Sequence, residues 1–312
     1  MKHLNSRVSV VIPTFKRETN YLARAIESIK NQSYKNIEVV IVDDNPPDSL
    51  FRTQVKDFMQ RYINDLDVIY LMNKKNIGGS LARNNGINVA TGDYITFLDD
   101  DDEYLPEKIK RQLEFMLNTG ADMSFTDLKL VNEKKEIVDY REYRDLKGFE
   151  KRDLLKYHIM RHLTGTPTFM YKSERLRAIG GFEDAKMGQE FYLMLKSIEN
   201  ELKIRYLPEC DVIAYRHNDG GISQGENKIT GELALYSFKK KYFYIFTLRE
   251  KMFIVFRHYA VMVVAYKRNR KYFRLILSGL MMIICSPLDL FNETKRYLIN
   301  RVKYRKNEEL NP

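Results

Sequence analysis

Residues 94–102 read YITFLDDDD, an apolar run of strand length that stops in four consecutive aspartates. An apolar stretch this short, without polar alternation, is covered on both faces when it forms a strand. Four adjacent carboxylates repel one another strongly unless a cation sits among them. The strand is therefore expected to close near residue 98. The pattern has two earlier relatives. Arg7–Ile12 reads RVSVVI and is ended by Pro13. Ile37–Val42 reads IEVVIV and is closed by Asp43, Asp44, Asn45 and two prolines.

Helical spacing lies between these runs. Tyr21–Gln32 carries Leu22, Ala25, Ile26 and Ile29 on one face. Asp67–Leu71 is a third expected strand, and Gly78–Val89 a helix rich in small and polar residues. Pro106 suits the first turn of a helix whose apolar face is Ile109, Leu113 and Met116. Strands alternating with helices predict an α/β fold, an open and mainly parallel sheet flanked by helices. Ligands of such sheets bind beyond the carboxyl ends of the strands, where both acidic clusters fall. Beyond residue 120 the pattern loosens. Ala121–Val131 and Pro167–Lys172 read as strands, Glu190–Ile198 as a helix, and Gly180-Gly181 and Gly220-Gly221 as loops.

Charge divides the chain. Residues 239–312 hold 17 Lys/Arg against 5 Asp/Glu, whereas 1–238 hold 35 against 37. A near-neutral body with a basic end is not a nucleic-acid binder, for which a basic body is expected. The expected domains are 1–238, with a nucleotide-binding half to 119 and an acceptor-binding half from 120, and a basic, aromatic helical tail over 239–312. In the tail, Met252–Tyr266 and Leu275–Cys285 are apolar, with Lys239-Lys240-Lys241, Lys267, Arg268, Arg270, Lys271 and Lys295-Arg296 flanking them. Two readings stand: helices lying on an anionic membrane surface, or helices packed against the rest with their charges solvated. No apolar run reaches the roughly 20 residues of a spanning helix. The polar start Met1–Ser6 leads straight into a strand, so no secretory signal is expected and the expected location is cytoplasmic, peripheral at the inner face of the plasma membrane. Apolar residues at 44% and charged residues at 30% exclude disordered and collagen-like classes. Cys210 and Cys285, far apart, argue against a disulfide scaffold or a paired-thiolate zinc site.

Clustered hard oxygens at a sheet edge point to Mg²⁺ or Mn²⁺, ions that usually also hold substrate phosphates. Four segments sharpen this. RVSVVIPTFKR, IEVVIVDDN, NIGGSLARNNG and GDYITFLDDDDEYLP, in this order over roughly residues 7–110, resemble the family 2 glycosyltransferases, nucleotide-sugar enzymes of the GT-A fold. A weaker similarity runs through GGFEDAKMGQEFYLML and YRHNDGGIS to about residue 225. The resemblance implies a role for each matching position. Asp44 would accept a hydrogen bond from a uracil base, with a turn cap as the structural alternative. Pro13 and Thr14 would line the base and ribose pocket. Arg83 would meet the base or diphosphate, with an ion pair to a sheet-end aspartate as the alternative. Asp99 and Asp100 would face ribose and diphosphate and Asp101 would hold Mn²⁺ or Mg²⁺, although a fourth acid leaves the register open by one residue. His217 would close over diphosphate or metal. Glu190 would be the general base of an inverting displacement, in a Gln189-Glu190 pair where the family more often has Glu-Asp.

The implied activity is transfer of a sugar from a nucleotide donor, UDP-linked, to a cell-surface glycan or lipid-linked precursor. A catalytically inactive glycan- or nucleotide-binding module of the same fold is the alternative. Other classes lack their residues. The chain contains no tryptophan and so no Gln-x-x-Arg-Trp motif of the processive synthases. Pro13–Glu18 has no glycine, which removes both a dinucleotide fingerprint and the Gly-rich triphosphate loop of a nucleotidyltransferase.

Overall fold

The computed structural model describes residues 5–62, 67–163, 165–185, 187–216 and 225–295. The chain divides into two compact units. The first comprises Met1–Lys151, Thr164–Ala185 and Gln189–Arg216; the second comprises Arg152–Leu163, Lys186–Gly188 and His217–Pro312.

The first unit is built on the apolar runs. β1 (Val8–Thr14), β2 (Ile37–Asp43), β3 (Val68–Met72) and β4 (Tyr94–Phe97) pair in parallel in the order β4-β1-β2-β3. β5 (Glu103–Tyr104) follows the acidic turn. α1 (Thr19–Lys30), α2 (Leu50–Met59), α3 (Gly79–Val89) and α4 (Lys108–Thr119) connect or follow these strands. Leu22, Ile26 and Ile29 of α1 pack with Val8, Val10 and Ile12 of β1, Val55 of α2 and Ile109, Leu113 and Met116 of α4 in one core. α3 owes its small residues to the sheet it lies on. A Cβ at Gly86 would collide with the Val11 side chain, so glycine lets the helix backbone approach β1 closely. The helices expected over Tyr21–Gln32, Gly78–Val89 and Glu190–Ile198 begin and end within two residues of those observed; α4 starts at Lys108, so Pro106 precedes its first turn, and α2 had no counterpart in the sequence reading.

The expected strand Ala121–Val131 is two strands in two sheets. β6 (Met123–Thr126) joins the main sheet, and β7 (Leu128–Val131) pairs with β8 (Ile137–Arg141) and β11 (Val212–Tyr215) in a second one, ordered β5-β11-β7-β8. The break is Asp127, fully buried, whose carboxylate takes hydrogen bonds from the Tyr206 hydroxyl and from Arg144 at 3.3 Å. ADMSFTDLKLV alternates apolar and polar residues with one slip at Thr126-Asp127, and such a slip does not by itself reveal that the chain changes sheets there. Similarly, Pro167–Lys172 is a 3₁₀ turn (Thr166–Thr168) followed by the short β9 (Met170–Lys172). β9 is antiparallel to both β4 and β6. With β10 (Ile204–Leu207) beyond β6, seven strands make a mainly parallel sheet among the described residues. α5 (Lys151–Arg161) begins where this unit's first segment ends. α6 (Ser173–Ala178) and α7 (Gln189–Glu199) complete the unit.

The second unit is helical. α8 (Gly225–Lys240) groups with it, although the sequence reading placed residues up to 238 in the first domain. α9 (Leu248–Arg268) starts at a capping box between Thr247 and Glu250 and runs unbroken for 21 residues. His258 does not interrupt it. The imidazole is buried, stacks on Tyr236 of α8 at 4.0 Å and lies 3.8 Å from the Glu232 carboxylate. α10 (Tyr272–Cys285) packs along α9. Among the described residues no single helix is long and apolar enough to cross a membrane.

Candidate active site

β1 lies between β2 and β4, so the chain reverses its direction of travel across the sheet beside β1. That topology opens a crevice at the carboxyl ends of β1 and β4. The side chains there are joined across it. Thr14, the last residue of β1, donates its hydroxyl to Asp100 at 2.7 Å. Arg17, in the loop after β1, sits between two acids, Nη2 at 2.8 Å from Asp101 and Nε at 3.4 Å from Asp100. Arg24 of α1 donates to the Asp101 carbonyl and lies over the Tyr215 ring at 3.7 Å. The Tyr215 peptide N–H in turn donates to Asp102 at 3.0 Å.

Burial, and then the neighbouring Asp101 carboxylate, push Asp100 up to about 7 in spite of Arg17. Asp102 is held well above the usual carboxylate range by burial first, then by Asp99 and Asp101.

Asp44 is buried and organises the loop after β3. Its oxygens accept from the amides of Asn73 (2.8 Å) and Asn76 (3.0 Å) and from the backbone N–H of Ile77 (3.0 Å) and Gly78 (2.9 Å). A carboxylate offers about four acceptor positions. A base bound to Asp44 would therefore have to displace one of these donors, so the loop-capping alternative is the arrangement seen. Asp43 is also buried and is paired with Arg52 at 3.1 Å and Tyr70 at 2.6 Å. Pro13 is half-buried beside Val42 in the sheet register.

The loop held by Asp44 delivers α3. Arg83, nearly buried, donates one guanidinium nitrogen to Asp99 and the other to Gln189 Oε1 at 2.9 Å. The ion-pair alternative for Arg83 is thus present, with Gln189 as a further partner. Gln189 opens α7, and Glu190 is its second residue. The same chain of bonds therefore ties the start of α7 to the acids after β4. Glu190 is half-exposed and makes no side-chain hydrogen bond or ion pair to the described residues. Phe191, buried directly after it, anchors the helix. Asn84, next to Arg83, exchanges two 2.8 Å hydrogen bonds with the backbone of Phe182, securing the Gly180-Gly181 loop. His217 lies outside the described residues.

Thr14, Asp99, Asp100, Asp101, Arg83 and, through Gln189, the start of α7 are thus brought to one edge. Arg17, Asn84 and Tyr215 were not singled out from sequence, and Gln189 was noted only as a departure from the family's acidic pair. Arg17 had a signal, a cation three residues beyond a strand end. Its meaning depends on β4 neighbouring β1, which the order of segments along the chain does not state.

The donor set suits a hard divalent cation. Among the described residues it is all carboxylate oxygen, and the Arg17 guanidinium already stands in as a cation between Asp100 and Asp101. Among the described residues no three acidic, histidine or cysteine groups converge as a preformed cage. Magnesium is commonly held by one or two carboxylates with substrate phosphates completing its shell.

A mainly parallel sheet with acids at the β4 end, Arg83 of α3 paired to one of them and the Glu190 carboxylate in the first turn of α7 define a glycosyltransferase-type site. The model for glycosyl transferase family 2 matches residues 9–176. A glycosyltransferase of Methanocaldococcus jannaschii, itself uncharacterized, is 32% identical over 210 residues, 67% of this chain and 70% of that protein. The chain belongs to glycosyl transferase family 2. A GalNAc(5)-diNAcBac-PP-undecaprenol beta-1,3-glucosyltransferase of Campylobacter jejuni is 32% identical over 190 residues, 60% of this chain and 56% of its own length. Other relatives are matched over only 21% of their length. Among solved structures, S. aureus TarS 1-349 in complex with UDP-GlcNAc has a TM-score of 0.58, with 18% identity and 89% of each chain covered. At that identity the likeness speaks for the fold.

Proposed function

We propose that this protein is an inverting glycosyltransferase that uses a UDP-linked sugar and transfers it to a hydroxyl of a cell-surface glycan or of its lipid-linked precursor. The observation that carries the reading is the continuous connection Asp99–Arg83–Gln189, which ties the first turn of α7, the turn that holds Glu190, to the acids after β4. The TarS complex holds UDP-GlcNAc, and the C. jejuni relative is named for an undecaprenol-linked acceptor. Both names agree with this choice of donor and acceptor.

Each residue has a task in the displacement. Thr14, Pro13 and Asp44 bound the nucleoside end, Asp44 chiefly by holding the loop that follows β3. Asp99 and Asp100 face the ribose and diphosphate. Arg83 and Arg17 supply positive charge where the departing diphosphate gathers negative charge. Asp101, with His217, would hold Mn²⁺ or Mg²⁺, which when bound neutralises charge on the leaving diphosphate. Glu190 accepts the proton of the acceptor hydroxyl as its oxygen attacks C1 and the C1–O bond to the diphosphate breaks. A single attack from the opposite face inverts the anomeric centre. The reaction sits at the inner face of the plasma membrane, where the basic helical unit meets anionic lipid.

A UDP-release assay over a panel of UDP-sugars, with Mn²⁺ and a glycan or lipid-linked acceptor, tests the reading. Glu190→Gln is expected to lower turnover by about 10²–10⁴-fold and to leave UDP binding, followed by thermal shift, unchanged. Wild-type protein that binds UDP-sugars and releases no UDP with any donor would instead mark an inactive binding module.

A further inference from the structure

We propose that α10 and the helix Pro287–Lys295 form an in-plane membrane anchor whose apolar face enters the headgroup–acyl boundary of an anionic bilayer. This deepens the membrane contact in the proposed function and rests on no property of the catalytic site.

α10 reads YFRLILSGLMMIIC, with Arg274 its only charged residue. One side packs along α9, with Ser278 buried there. The opposite side is more apolar still and faces outward: Phe273 is 82% exposed, Ile276 60%, Leu277 53%, Leu280 52% and Ile284 70%. The spacing 273, 276, 277, 280, 284 is that of one helical face. Leu288 (54% exposed) and Phe291 (65% exposed) extend it onto Pro287–Lys295, which follows after a 100° bend. A soluble surface rarely exposes so many neighbouring large apolar side chains, and such a patch marks an interaction surface.

Charge selects the occupant. The turn leading into α10 carries Lys267, Arg268 and Arg270, all exposed, and Arg274 follows one turn later, with no acid between Lys267 and Arg274. A second copy would bring an identical cationic collar against this one, which like-charge repulsion opposes. A bilayer rich in anionic lipid attracts each such cation, by about 1 kcal/mol per Lys or Arg near the surface, and takes up the apolar face at the same time. Fourteen helical residues span roughly 21 Å, short of the roughly 30 Å hydrocarbon core, and the bend turns the next helix away. The pair therefore lies in the interface plane.

The chain contains no tryptophan, so Phe273→Trp gives the full-length protein a single reporter on this face. Vesicles of phosphatidylcholine with phosphatidylglycerol are expected to shift its emission to the blue and to bind the protein in flotation, less so at high salt. Lipids brominated near the headgroup should quench it more than lipids brominated near the chain end. Ile276→Glu with Leu280→Glu should weaken vesicle binding by about tenfold or more, with UDP release from the donor in the presence of a soluble acceptor unaltered; that activity readout separates failure of the anchor from failure of the catalytic reading. Binding unchanged in the double variant, equal binding to pure phosphatidylcholine, deeper quenching from the chain end, or a wild-type dimer that becomes a monomer in the double variant would each overturn the proposal.

Discussion

Arg17 Nη2 lies 2.8 Å from Asp101 Oδ2, so a side chain from the β1 loop neutralises the acid expected to hold a metal. A divalent cation bound at Asp101 would compete with the guanidinium for the same oxygens. A partly exposed pair of this kind contributes about 0.2–1 kcal/mol. Arg17→Met is accordingly expected to raise Mn²⁺ affinity, without nucleotide, by about 1.5- to 5-fold. Isothermal titration with MnCl₂ measures it; an unchanged or weaker affinity would show that Arg17 and the ion use different oxygens.

Asp44→Asn places an amide where four donors converge. One or more buried donors lose their acceptor, at about 1–3 kcal/mol. Urea unfolding should show this loss of stability with no ligand present. UDP affinity should fall too, because the Asn73–Gly78 loop leads into α3 and Arg83. A variant as stable as wild type would mean that the loop does not depend on this carboxylate.

Gly79 is the first residue of α3, and a Cβ there would lie 3.1 Å from Arg83 Nη1 and 3.3 Å from Gln189 Oε1. Gly79→Ala pushes apart the two side chains that connect α3 to α7. Misplacement of this size in a site costs between about tenfold and about a hundredfold in turnover, while stability should stay within about 1 kcal/mol. Steady-state kinetics beside a thermal melt separate the effects. Full activity would detach Glu190 from the Arg83–Gln189 contact.

Asp127, at the switch between the two sheets, is pushed up to about 6, chiefly by burial, against the Tyr206 hydrogen bond and Arg144 that oppose it. Its affinity for protons thus rises on folding, from an unfolded value near 3.9. The folded state binds more protons between these values, so this residue makes stability fall as pH rises from about 4 to about 6, then level off. Asp127→Asn should flatten that slope and raise the melting temperature at pH 7.5. Melting curves from pH 4 to 8 check it; an unaltered slope would assign the pH dependence to other groups.

The sequence by itself determined where the edges of the sheet lie. YITFL gives way to four aspartates and IEVVIV to Asp43 and Asp44, so the strand ends, the acidic clusters and the helices over Tyr21–Gln32 and Gly78–Val89 were legible from composition and periodicity; that Asp43, Asp44, Asp100 and Asp102 are themselves buried was not. It also carried a resemblance sufficient to nominate Glu190 at the start of α7. The tertiary structure alone decided which ends are neighbours. That β4 lies against β1, so that Thr14 and Arg17 reach Asp100 and Asp101, depends on how the helices cover the whole sheet. That Gln189 meets Arg83, 106 residues away, is likewise a property of packing. The split of Ala121–Val131 at Asp127 was hidden for the same reason: both halves, MSFT and LKLV, read as strand, and local chemistry does not say which sheet each half joins.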